Sequence, residues 1–356
     1  MQGGKDVFRL YYYYYDVFLA ATLELSNKLF FFALLAYICC KNILISYSKS
    51  THTMSFSSQI FRSPEYTSFR CNVPLKQIIL DDTGANKGWR VYDTGPRSVE
   101  TPLVFLHAVS GRAEVFFKQL LTLSSKGYRV ISAENPPYWS VTEWCEGFMQ
   151  LLDHMDIKQV HLFGASLGGF LAQKFVEFST IVHQPRVVSL FLCNSFTDTS
   201  IFKYKDAAVL FWILPAMVLR KMVLSNLSSR ETFYDTQIMD SIDFIVELIE
   251  SLSQADLASR LTMNCLNSRV NTSLMRGLKS VTLMDVFDDY ALGSPIKEKI
   301  YQEYPDAKLA QLKSGGNFPY LSRSDEVNLH LQIHLRKYDG TPFSASDNIP
   351  ITEEFE

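Results

Sequence analysis

The sequence predicts an α/β protein: a mostly parallel central sheet flanked by helices, with a helical cap inserted late in the chain. Two observations carry this. From Leu75 onward, short apolar runs of strand length alternate with amphipathic stretches of helix length, the order that builds a parallel sheet covered on both faces. One interval, 200 to 276, breaks the rhythm with helical pattern and no convincing strand, so it reads as an insertion between two strands.

The strand candidates are WRVYD (89 to 93), TPLVFLH (101 to 107), YRVISA (128 to 133), VHLFG (160 to 164), VVSLFLC (187 to 193), VTLMDVF (281 to 287) and AKLAQL (307 to 312). Helices are expected between them at 113 to 125, 143 to 155 and 168 to 180. Inside the insertion, AAVLFWILPAMVLRKMVL (207 to 224) and MDSIDFIVELIESL (239 to 252) read as helices. Phe211, Trp212 and Met217 of the first are expected to pack the cap's interior, the alternative being an apolar lip over a cleft. The domain proper spans 54 to 340, and 341 to 356, with Pro, Ser and four acidic residues, reads as a solvated tail.

Composition excludes several classes. With 356 residues, 47% of them hydrophobic, the chain can bury a sizeable core and is neither disordered nor collagen-like. Its 34 basic and 37 acidic residues leave a net charge of −3 with no basic block, so nucleic acid is not an expected partner. The six cysteines (39, 40, 71, 145, 193 and 265) form no CxxC and suit neither zinc nor a disulfide framework, which points to a reducing compartment. His330 and His334 are spaced i,i+4 but lack a third ligand, so they read as helix-face residues. No cofactor or metal is called for.

Residues 1 to 53 stand apart as an N-terminal extension. Only LFFFALLAYICC (29 to 40) is continuously apolar, 12 residues where a membrane span needs about 20. A secretory signal is poorly matched, because Glu24 and Lys28 precede that run and Cys-Cys-Lys-Asn follows it. The reading preferred is that Met54 is an alternative or true start, with a signal or anchor as the alternative. The sequons at Asn226 and Asn271 matter only for a secreted chain.

VHLFGASLGGFLAQKF (160 to 175) places G-x-S-x-G at a strand-to-helix junction, the context of a nucleophile elbow. Gly164 and Gly168 make room for the turn, Ser166 is the nucleophile position, and the helix N-terminus behind it aims amide N–H groups at a developing oxyanion. This is the signature of the α/β-hydrolase fold. There the strand LVFL should be followed by the second oxyanion donor, making Val109 and Leu167 the candidate N–H pair, with His107 a turn-structuring residue rather than a base. The chain order Ser, acid, His then selects Asp288 after VTLMDVF, with Asp285 and Asp289 as neighbours. After the last strand the histidine slot in LKSGGNFPYLS (312 to 322) holds Asn317. An amide cannot take the serine proton near neutral pH, and loss of a triad base costs about 10⁶ in kcat in a well-measured protease.

The blocks VPLKQIIL, YDTGPRS, GYRVISAENPPYW, LLDHMDIKQVHLFGASLGGFLAQKF, LCNSFTDTSIF, ESLSQADLASRLTMNC, MDVFDDYAL and KSGGNFPYLSRSDEVNLHLQIHL closely resemble the maspardin family of the α/β-hydrolase superfamily, over about residues 54 to 340. The resemblance implies a hydrolase-like fold serving as a non-enzymatic binding or adaptor protein. It also implies a cytosolic protein that associates with endosomal and trans-Golgi membranes. The implied partners are the cytoplasmic tail of a T-cell surface co-receptor, which such proteins regulate negatively, and an aldehyde-dehydrogenase-like protein. The chain departs from the family in residues 1 to 53 and at His107-Ala108. The competing reading is a slow serine esterase or lipase using Ser166, and position 317 separates the two.

Overall fold

The computed structural model describes residues 58–80, 87–202, 208–225, 235–278, 280–288 and 293–347. The N-terminal extension, both alternatives for it, Asn226 and Asp289 therefore lie outside the described residues.

Eight strands form one sheet: β1 (Lys76–Leu80), β2 (Lys87–Thr94), β3 (Leu103–Leu106), β4 (Val130–Glu134), β5 (Val160–Ala165), β6 (Val187–Cys193), β7 (Ser280–Val286) and β8 (Lys308–Leu312). They lie in the order β1-β2-β4-β3-β5-β6-β7-β8; β2 runs antiparallel to both neighbours and every later pairing is parallel. Because β3, β4 and β5 are covered on both faces, all their residues are buried, and that is why they read as mostly apolar runs, interrupted only by Ser132, Glu134 and His161. The period of two survives inside them: Leu103 and Phe105 point into one core with Phe116, Phe163 and Tyr320, whereas Val104 and Leu106 join the other with Trp144, Phe148 and Phe175.

Helices cover both faces: α1 (Pro64–Asn72), α2 (Phe117–Ser124), α3 (Val141–His154), α4 (Leu167–Ile181), α8 (Ser294–Glu303) and α9 (Ser324–Arg336). The stretch expected as one helix over 113 to 125 is a 3₁₀ turn, Ala113–Phe116, running into α2.

The cap holds a one-turn helix Ala208–Phe211, then α5 (Ala216–Leu224), α6 (Thr236–Glu250) and α7 (Gln254–Cys265). The single helix expected over 207 to 224 is broken ahead of α5 by Pro215, which has no N–H to donate and pushes the preceding residue out of helical geometry. The two readings of that segment divide by residue: Phe211 is buried, Trp212 stacks on Trp139 at 3.7 Å between ring centroids, and Met217 faces outward.

The expectation of a tail solvated from 341 onward holds for Thr341, Pro342 and Asp347, which are exposed, and fails at Ala345 and Ser346, which are buried. Thr101 donates its hydroxyl to Pro342 O, Arg129 N–H to Ala345 O and Asp347 N–H to Gly127 O, and Ala345 is only 1% exposed. The segment is a strap across the strand ends, held because its backbone groups find partners there. Among the described residues no helix is long and apolar enough to cross a membrane.

Candidate functional site

Ser166 lies where the C-terminal ends of β5 and β6 come together, with the end of β3 packed against the adjacent Gly168. This residue sits between β5 and α4 with φ 49° and ψ −114°, a left-handed conformation that costs a non-glycine residue about 1–3 kcal/mol. It is held there from both sides: Ser166 N–H donates to Cys193 O at 3.0 Å, while Ser166 O accepts from the N–H groups of Gly169 and Phe170 and from the Ser195 hydroxyl. The two motif glycines are required by close approach. A Cβ on Gly168 would lie 2.2 Å from Leu106 O, and one on Gly164 would lie 2.4 Å from the Cα of Gly169. Leu167 opens α4, so its N–H is among the unpaired donors of the helix start.

The loop after β3 carries the other predicted donor, Val109, in a turn closed by Gly111 N–H on Ala108 O. His107 is buried; its Nδ1 lies 2.8 Å from Ala108 O, which makes Nδ1 the protonated nitrogen and leaves Nε2 unpartnered among the described residues. Burial, aided by Arg260, pushes its pKa down to about 4, so this imidazole is neutral and a weak base.

Asp288 follows β7, as expected, but its carboxylate is committed to backbone. One oxygen accepts from Gly315 N–H at 2.9 Å, and both face Gly316 N–H, at 3.1 and 3.3 Å. The same turn is fixed by the Asn194 side-chain amide on Gly316 O and by the Ser322 hydroxyl on Gly315 O. Asn317 is the next residue, half-buried at the end of this pinned turn. Asp285 takes no part: its carboxylate pairs with Lys297 and accepts from Tyr301.

No family model matches the chain. It is 54% identical to maspardin from Homo sapiens over 292 residues, which cover 82% of this chain and 93% of that protein. This chain belongs to the maspardin family. Maspardin from Danio rerio is 53% identical over 295 residues. The fold is that of the α/β-hydrolases: a thermophilic esterase from Thermogutta terrifontis superposes with TM-score 0.60 at 17% identity, covering 74% of this chain and 98% of that one. A bromoperoxidase from Bacillus anthracis gives 0.57 at 14% identity, covering 74% and 100%.

Sequence reasoning missed a charged hub beneath this maspardin-family elbow. Glu134, 3% exposed at the end of β4, receives Arg90, Arg112 and Arg260 at 3.1 to 3.4 Å, together with Ala113 N–H. Burial alone would raise its carboxyl pKa, but Arg260 and Arg112 outweigh that and hold it below the usual range. Arg260 comes from cap helix α7 and also donates to the carbonyls of Val109 and Gly111, so the cap grips the loop after β3 directly. The sequence offers only Glu134 itself, an acid closing the mostly apolar run VISA, where it stays buried only if paired; nothing in the sequence names its partners.

The other missed arrangement uses His161 and His334, one at the start of β5 and the other near the end of α9. His334 is no surface residue: it is 2% exposed. A single tautomer assignment satisfies the whole chain of contacts. Thr282 donates its hydroxyl to His334 Nδ1 (2.7 Å), His334 Nε2–H donates to Ser189 Oγ (2.8 Å), Ser189 donates to His161 Nδ1 (2.7 Å), and His161 Nε2–H donates to Phe343 O (2.8 Å). This network lies at the opposite end of the sheet; Ser166 is five residue steps along the chain from His161, about 16 Å of strand.

Proposed function

We propose that this member of the maspardin family is a non-catalytic binding protein built on a hydrolase scaffold. The observation that carries the reading is the state of the acid–base half of the site. Asp288 spends its carboxylate on the Gly315-Gly316 turn, and the residue which that turn presents is an amide, Asn317. Proton transfer from Ser166 needs an imidazole there, and an amide cannot supply it. The partners follow from the family resemblance: the cytoplasmic tail of a T-cell surface co-receptor and an aldehyde-dehydrogenase-like protein. The setting that goes with them is a cytosolic protein on endosomal and trans-Golgi membranes, acting in trafficking or in negative regulation of that co-receptor.

The second reading, a slow serine esterase using Ser166, is favoured by the preserved elbow geometry, which keeps Ser166 in a costly backbone conformation. A paired assay separates them: ester turnover and binding of a co-receptor tail peptide, each measured in wild type and in Ser166→Ala. The adaptor reading expects tail binding by the wild type and no change in turnover. Turnover at an ordinary enzymatic rate of about 1 to 10³ per second, lost in Ser166→Ala, overturns it.

A further inference from the structure

The N-terminal ends of the parallel strands, opposite the elbow, enclose an open cavity of about 970 Å³. Four of its lining residues come from the positions just ahead of four adjacent strands: Thr101 before β3, Arg129 before β4, Gln159 before β5 and Arg186 before β6. The strap residues Pro342 and Phe343 close one side. The cavity is therefore built by the sheet itself.

Its charge is uneven. Arg97, Arg129, Lys158 and Arg186 line it, against two lining acids, Glu100 and Asp156. Arg129 is 8% exposed, and it shares one carboxylate, Asp93, with Arg97. That carboxylate does not quiet both guanidiniums. Burial, and then the neighbouring Arg129, hold Arg97 below its ordinary range, and nearby Lys76 is lowered by burial and by the same two arginines. Arg186 is paired with Asp153, whereas the Lys158 ammonium has no bonded partner among the described residues.

We propose that this cavity binds a ligand carrying more than one phosphate group, held by Arg97, Arg129 and Lys158 with Arg186 at the wall. Guanidinium forks match phosphate oxygens in pairs, and a volume this size holds a small molecule rather than a single ion. The chemistry is shared by a free phosphorylated metabolite and by a phosphorylated lipid headgroup. The site lies at the far end of the sheet from Ser166, and its failure would leave the reading of the elbow standing.

The test titrates the full chain with inositol trisphosphate by calorimetry, and floats it with phosphatidylcholine vesicles with and without a phosphatidylinositol phosphate. Saturable trisphosphate binding is expected, weakened about tenfold or more by Lys158→Glu and by Arg97→Glu. Lys221→Glu, on the exposed face of α5, should leave it unchanged. Flotation that depends on the phosphorylated lipid would assign the ligand to a headgroup; trisphosphate binding without flotation would assign it to a free metabolite. No binding of either probe overturns the proposal. So does binding that survives both cavity variants in folded protein, or that falls equally in Lys221→Glu.

Discussion

The two ends of one sheet hold the same kinds of side chain in opposite states. At the C-terminal end, Ser166 has the backbone geometry of a nucleophile and Asp288 follows β7, but the position proposed here for the base holds Asn317. At the N-terminal end, Ser189 lies 2.7 and 2.8 Å from the two imidazoles of His161 and His334, yet it is fully buried in mid-strand β6. Serine beside histidine is thus present at Ser189, whose side chain is fully buried, and absent where the turn is shaped for chemistry. Access and backbone geometry, rather than residue types, decide which serine could act.

Acid should separate the two ends most strongly. His107 and His161 are pushed by burial to about 4 and His334 to about 3, from an ordinary value of 6.5. Above that value these imidazoles are neutral whether folded or not, and contribute nothing to the pH dependence. As pH falls below it, the unfolded chain takes up protons that the folded chain refuses, so stability drops by up to about 1.4 kcal/mol per pH unit for each histidine until about pH 4. Chemical denaturation at pH 7 and pH 5 should show this loss, and His334→Leu should make the pH dependence shallower. An equal slope in that variant would mean that His334 is not held neutral.

Asp288→Ala tests whether the acid is now structural. It removes charge-assisted hydrogen bonds to Gly315 and Gly316, and the expected cost is about 2–3 kcal/mol in a melting or denaturant experiment. A neutral effect on stability would return Asp288 to a purely catalytic role. The smallest effect has the opposite sign: Ser166→Gly should raise stability by about 1 kcal/mol, because glycine adopts positive φ without strain. A fall in stability would show that the Ser166 side chain itself holds the elbow.

Much of this architecture was legible in the sequence because buried parallel strands leave mostly apolar runs, and an elbow leaves glycines at fixed spacing. β1 escaped notice because an edge strand, KQIIL, is half exposed and mixes polar with apolar residues. The kink ahead of α5 was visible in Pro215 and was overridden by the apolar run around it. The Glu134 hub and the His161–Ser189–His334 chain were not legible. Their partners lie 28 to 145 residues apart in most of these contacts, and only the strand order brings them together. The strap was hidden by its composition, since its hold is mostly backbone hydrogen bonds that any sequence could make.

The central claim is that the missing base, and not a damaged elbow, silences Ser166. Fluorophosphonate labelling of wild type and Asn317→His, run beside an active serine hydrolase, tests it most directly. Little labelling is expected in wild type. In Asn317→His labelling should rise, and Ser166→Ala in that background should abolish it, even if turnover stays poor because a placement error of about 1 Å costs some 10²-fold. Rapid labelling of wild-type Ser166, or labelling unchanged by Asn317→His in a variant shown to be folded, would contradict the account.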